Sequence, residues 1–333
     1  MRKIIGCLMC LIFCEAVFGV SEKDNCGLFP VIQGGKRGYI DSTGKIIIPL
    51  KFDIAWEFNE NFAPVKIGDK YGYIDTTGEI AIVPQFEDAS GFSEGLAAVE
   101  VDKKWGYINT KGEMIIKPQF KNANNFSEGY AQVNLEGKTG YINTTGEIVI
   151  KPQFDYTTGF WEGLALVKTN NKYAYIDTTG KIVIKPQFDN AWNFSEGLAL
   201  VMVKKKYGYI DKTGKMAIEA KFERALNFSE GLAPVKIGKK RAYIDKTGNI
   251  VIKLQPDFKE DDGIATFQNG IAAIRIDGKW GFFDTTGNII ITPQFDNFVN
   301  ILHPFNNGLA MVRVNGKLGY IDRTGKYVWQ STD

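Results

Sequence analysis

The sequence predicts an all-β chain: a tandem repeat of nine three-stranded antiparallel meanders with a 34-residue period, stacked as an open β-solenoid or superhelix. Three observations carry this. A Gly before Tyr or Phe recurs at 38, 72, 106, 140, 208, 281 and 319, with Ala174 and Ala242 in register, so six successive intervals are 34 residues and the last two are 39 and 38. Runs of β-branched residues are only three to six long and are bounded by Gly, Asn and Asp, as strands between tight turns are. Several Gly per unit and the recurring Pro84, Pro118, Pro152 and Pro186 break any helix and exclude helical repeats of the same period.

Each unit opens with a short apolar strand, such as Phe62-Ala63-Pro64-Val65 or Leu96-Ala97-Ala98-Val99. A two-residue turn follows, at Gly34-Gly35, Gly68-Asp69, Asn170-Asn171 or Asn315-Gly316, residue types that tolerate positive φ. The strand then returns through Gly-Tyr-Ile-Asp. A second turn, Asp75-Thr76-Thr77-Gly78 and its copies, uses Asp or Asn to bond the backbone two residues on. The third strand is Ile80-Ala81-Ile82 or Ile182-Val183-Ile184. The remainder is a connection with a recurring Phe pair (86/92, 120/126, 154/160, 188/194, 222/228) expected to plug the space between neighbouring sheets. The Gly closing the connection is Asn61 in the first unit, which implies a left-handed backbone there.

Nine meanders begin at 28, 62, 96, 130, 164, 198, 232, 271 and 309. The reading divides the chain into a signal peptide (1–19), a tail (20–27) and one repeat domain (28–333) whose last unit is truncated. The alternative is a closed β-propeller. Its blades take four strands and about 40–45 residues, against three strands and 34 residues in this repeat. The first and ninth units each own three strands, so nothing in the sequence asks for closure.

Arg2 and Lys3 followed by the apolar run Ile4 to Phe13 give residues 1–19 the form of a secretory signal. The protein is therefore expected to be exported, to the periplasm, the cell surface or the medium. Cys7, Cys10 and Cys14 lie within that segment, leaving Cys26 as the one mature thiol and no internal disulfide. No other stretch approaches the length of a transmembrane helix. A net charge of +2 gives no reason to expect a nucleic-acid partner.

Lys104-Trp105-Gly106-Tyr107 and Lys279-Trp280-Gly281-Phe282, with the Asp-Thr-Gly turn, Pro-Gln-Phe and Phe-Ser-Glu-Gly, resemble the bacterial WG (KWG) repeat family over residues 28–329. Arg37, Thr139, Arg241 and Leu318 depart from the signature at the position before Gly or Ala. The resemblance implies non-enzymatic β-repeat proteins, often exported.

Catalytic chemistry finds little footing. His303 is the only histidine, which excludes His-based triads and multi-His metal sites. The Asp/Asn column of the second turn supplies one carboxylate per turn, too few for calcium, and reads as turn capping. No cofactor is expected, and no acidic pair stands apart from the repeat.

Three features remain as candidate binding elements. Tyr71, Trp105, Tyr173, Tyr207 and Trp280 occupy one column that also accepts Arg and Thr, so it is expected to be at least half exposed and able to meet a sugar ring or peptide. A lysine column runs from Lys36 to Lys317 through all nine units and would line up as a positive row able to meet an extended anion; the alternative is solvated strand-end lysines, with the Glu60 to Glu230 row able to neutralise them. The insertions within residues 256–306 place Asp261 and Asp262 in one loop and Ile301, Leu302 and His303 in another, and apolar residues in an exposed loop suggest a contact site. The functional expectation is a monomeric, non-enzymatic binding scaffold engaging a protein; the alternative is carbohydrate or cell-wall binding through the aromatic column.

Overall fold

The computed structural model describes residues 26–254, 263–298 and 305–332. The predicted meander is present throughout: in the second unit its strands are Ala63–Ile67, Lys70–Ile74 and Ile80–Phe86, paired antiparallel with Ile67 opposite Lys70 and Tyr73 opposite Ile82. The first turn needs positive φ, which the third and sixth units supply without glycine, at Asp102 (50°) and Lys103 (60°) and at Lys204 (49°) and Lys205 (64°). Asn61 has φ 70°, as its exchange with Gly implied.

The third strand carries a bulge. Tyr73 faces Ile82, but Tyr71 faces Phe86, so two residues on one strand oppose four on the other. Gly72 lies against that bulge, and a Cβ there would come 2.5 Å from the Ile82 carbonyl oxygen. This close approach favours Gly in the column, although Ala174 carries a Cβ opposite an equivalent bulge.

The sequence reading counted three strands per unit, and the connection adds one more. Two of its residues form a fourth strand: Asp88 pairs with Glu100 and Ala89 with Val99. In the fifth and sixth units this strand lengthens to Tyr156–Trp161 and Asn190–Ser195. Among the described residues the strands form nine sheets, most of them four-stranded, ordered like Ile54–Ala55, Ala63–Ile67, Lys70–Ile74, Ile80–Phe86. Each sheet is one blade.

The core lies between blades. One cluster joins Tyr107 and Ile116 of the third blade to Ala131, Val133 and Ile142 of the fourth, with Phe120 and Phe126 between them, the plugging role expected of the Phe pair. The repeated Tyr is fully buried yet satisfied, because its hydroxyl donates to a backbone carbonyl of the next blade: Tyr73 to Ser90, Tyr107 to Asn124 and Tyr209 to Leu226, each at 2.7 Å.

The open solenoid expected from the sequence is overturned, because the two ends meet. Going round, the Gly of each Thr-Gly or Lys-Gly turn sits on the preceding blade's third strand: Gly78 on Ile48, Gly112 on Ile82, Gly325 on Ile291. The series returns on itself at Gly44, where a Cβ would fall 1.9 Å from the Val328 carbonyl oxygen. Phe29, Val31 and Ile40 of the first blade form one cluster with Leu309 and Tyr320 of the ninth. The Phe29 and Tyr320 rings lie 5.5 Å apart, and the Tyr320 hydroxyl donates to the Pro30 carbonyl at 2.9 Å. The molecule is a closed nine-bladed β-propeller. Its seam is made by face packing between complete meanders, so two ends that each own three strands are compatible with closure.

The second turns behave as expected. The Asp41 carboxylate accepts from the Thr43 amide at 2.9 Å, the Thr43 hydroxyl at 2.6 Å and the Lys45 amide at 3.1 Å. The threonine hydroxyl is the largest influence holding Asp41, Asp75, Asp177, Asp211, Asp245, Asp284 and Asp322 below the usual 3.8. A carboxylate depressed in the folded state contributes stability above its unfolded pKa, and that contribution is lost as pH falls through the folded value. The midpoint of urea unfolding is therefore expected to show no change from these turns between pH 7 and pH 5 and to fall below about pH 4. Asp177→Asn, which copies the natural Asn109 and Asn143 turns, should shallow that acid slope. An unchanged slope would assign it to other groups.

Candidate functional site

The aromatic column lies beside the short fourth strand, and that placement covers it. Tyr71 and Trp280 are 8% and 9% exposed and Arg241 is 6% exposed, while Trp105, Tyr173 and Tyr207 are half-buried against inter-blade clusters. Lysines from the paired strand cover further ring surface, with Lys66 Nζ 5.4 Å from the Tyr71 ring centroid and Lys168 Nζ 5.3 Å from that of Tyr173. The column is more deeply packed than its mixture of Arg, Thr and Trp suggested. Its rings close the joints between blades.

The lysine column is also drawn into the joints. Lys36, Lys172 and Lys206 pair with Asp53, Asp189 and Glu223 at 2.6, 2.5 and 2.9 Å, and Lys138 and Lys279 pair with Asp155 and Asp296. These acids head the next blade, and Asp53, Asp189, Glu223 and Asp296 accept a second bond from its hairpin amide, as Asp53 does from Gly68 at 2.9 Å and Asp189 from Lys204 at 2.8 Å. Each pair is exposed, so its energetic contribution is small. The neutralising acids are a different column from the glutamates named in the sequence.

Those glutamates have a role that sequence reasoning missed. Glu60, Glu94, Glu128, Glu162, Glu196 and Glu230 all adopt positive φ, between 49° and 55°. Each carboxylate reaches forward to accept an amide of the following turn: Glu60 from Gly95, Glu94 from Gly129 and Glu196 from Gly231, all at 2.9 Å. Ser93 and Ser195 add hydroxyl bonds to the carbonyls of Phe126 and Phe228, both at 2.8 Å. A signal existed: a charged, non-Gly residue fixed before Gly at the close of a connection stands where positive φ is costly.

The exposed large apolar residues that recur from blade to blade are aliphatic. The third strand is an edge strand of its blade, paired on one side only, and its first residues are exposed in blade after blade. Ile46 and Ile47 are 45% and 40% exposed, Ile148 and Val149 47% and 39%, Ile250 and Val251 43% and 51%, and Ile289 and Ile290 50% and 40%. Consecutive strand residues point to opposite faces, so exposure of both means the strand start is covered on neither side. Val83, at 64%, extends this band in the second blade. The tip before each pair is usually charged, as at Lys45, Glu79, Glu147 and Lys181.

Asp261, Asp262, Ile301, Leu302 and His303 lie outside the described residues, as do residues 1–25 with the signal segment. Among the described residues no group of three or more His, Cys, Asp or Glu side chains is placed to hold a metal ion.

A sequence profile described as WG containing repeat matches eight tandem segments, residues 38–71, 71–105, 105–138, 140–173, 173–207, 207–240, 242–280 and 280–317. Each match runs from the middle strand of one blade to that of the next, so nine blades give eight matches. No curated protein matches the chain. Among solved structures, one described as the eukaryotic initiation factor aligns at 14% identity over 91% of this chain and 95% of its own, with a TM-score of 0.64. That likeness concerns the fold alone. BamB from Moraxella catarrhalis (12% identity, 83% and 95% covered, TM-score 0.44) and dihydro-heme d1 dehydrogenase NirN (12%, 82% and 74%, 0.46) are too distant in shape to support an argument.

Proposed function

Given that the chain belongs to the WG-containing repeat family, we propose that it is a monomeric, exported, non-enzymatic binding scaffold that engages another protein. The observation that carries this is the ring of aliphatic pairs on edge strands. Packed sheets stand about 10 Å apart, so the blades offer apolar contacts at regular intervals, separated by charged tips. Scattered apolar residues on a surface need no explanation, but the same exposed pair repeated around a ring forms a patterned apolar surface of the kind that marks protein contact. The export reading rests on residues 1–19 alone.

The test replaces six rim residues at once: Ile46→Thr, Ile115→Thr, Ile148→Thr, Ile182→Thr, Ile250→Thr and Ile289→Thr. Threonine keeps strand propensity and none of these side chains is buried, so the thermal midpoint should stay close to that of the parent. Crosslinking in the native envelope should capture protein with the parent ring and lose it with the variant. If the variant captures the same proteins in the same yield, the rim is not the contact and this reading falls.

A further inference from the structure

Between the fourth and fifth blades three columns that hold bulky or apolar side chains elsewhere turn to hydroxyl or amide side chains together. Thr139 occupies the column that holds Arg, Tyr, Trp or Leu elsewhere. Gln132 stands where the other first strands have Pro64, Ala98, Leu166, Leu200 or Pro234. Thr157 replaces the alanine found at 55, 89, 123, 191 and 225. Without a ring at 139, the space that Trp105 fills in the preceding joint is open, and a cavity of about 190 Å³ is left.

Its lining is amide and hydroxyl: Asn122, Asn124, Gln132 and Asn134 with Thr139 and Thr157. Tyr156, 47% exposed, stands at its edge and meets Tyr173 edge-on at 6.2 Å. Gln132 is only 7% exposed. Its amide oxygen accepts from Asn124 Nδ2, while its amide nitrogen is buried without a partner. A buried donor left unpaired is costly, and a turn of the side chain toward the pocket would let a ligand oxygen satisfy it. If the amide is turned end for end, the ligand must donate instead; a hydroxyl does both. The one charged group of the lining, Asp155, is paired with Lys138, so little net charge is left to select an ion. The volume lies below the roughly 300 Å³ at which drug-sized sites begin, enough for one small ring.

We propose that this pocket binds a single neutral sugar ring, with the amides and threonine hydroxyls pairing its hydroxyl groups and Tyr156 receiving its C–H face. The site owes nothing to the aliphatic rim, so it stands or falls apart from the protein-binding reading.

The test is titration calorimetry of the full ring against neutral hexoses, N-acetylhexosamines and short oligosaccharides built from them, with a sialic acid as the charged control. Saturable binding of a neutral sugar is expected. Thr139→Tyr restores the residue native to positions 71, 173 and 207, and Gln132→Leu restores that of 166 and 200, so both variants should fold. Each should weaken binding at least about tenfold, equivalent to ~1.4 kcal/mol. Gln132→Leu should also raise the thermal midpoint, because the unpaired amide is gone. Binding of a free sugar assigns a terminal residue, and binding only of oligosaccharides assigns one within a chain. No neutral sugar binding the parent, preference for the charged sugar, or unchanged affinity in Thr139→Tyr would each overturn the proposal.

Discussion

A chain shortened by its ninth unit, residues 309–333, is expected to lose stability across the ring rather than at one end. In an open stack a terminal repeat contacts one neighbour, and its removal uncovers one face. In the closed ring it also uncovers the first blade. Phe29, Val31 and Ile40, each no more than 3% exposed, would lose the cover of Leu309 and Tyr320. Side chains of this size contribute about 1.5–3 kcal/mol each when buried, so the loss approaches the net stability of a whole domain, about 5–15 kcal/mol. The shortened chain should melt well below the parent and bind a hydrophobic dye at temperatures where the parent does not. Hydrogen exchange should rise at Phe29–Gln33 as well as at the new C-terminal blade. If the first blade's protection is unchanged, the ends are not joined in solution.

Phe126→Ala is expected to cost far more than loss of a polar bond across a joint. Phe126 is 2% exposed, its ring lies 4.9 Å from that of Tyr107, and its cluster spans two blades. Truncation of such a side chain typically costs about 3–5 kcal/mol. Ser127→Ala, which removes a 3.0 Å bond to the Phe160 carbonyl one joint further on, should cost about 1 kcal/mol. Guanidinium unfolding of the two variants measures the difference. Equal costs would mean that the joints are held by their polar bonds, not by their rings.

The meander was legible because each part of it is written locally. Alternating apolar strands, Asp-Thr-Gly turns and the Asn61 exchange each report backbone conformation within a few residues, and the Phe pair reported the interior between sheets. The fourth strand was not legible. Asp88-Ala89 is two residues long and lacks a β-branched side chain, so its pairing is a tertiary fact. Closure was hidden for a related reason: the seam uses Phe29, Ile40 and Tyr320 in the columns they occupy anyway, and no extra strand advertises it. Of the candidate sites, the aromatic column was visible, but its burial depends on the unseen fourth strand. The departure of Thr139 from its column was plain in the sequence, whereas the cavity needed the neighbouring blade to define it.

The bonding across the joints also says how such a ring comes together. Tyr73 reaches a carbonyl 17 residues on, and Glu60 an amide 35 residues on. The Tyr320 bond to Pro30 spans 290 residues. All joints but the seam are thus short-range contacts with modest loop-closure cost, which favours rapid, stepwise growth of the array. The seam requires the two ends of the chain to find each other, and it gains its contacts only when the eight other joints already hold the curvature. Assembly is therefore a run of neighbour additions completed by one slow, long-range step. Until that step the apolar faces of the first and ninth blades are both open, and each is shaped to accept the end of another copy.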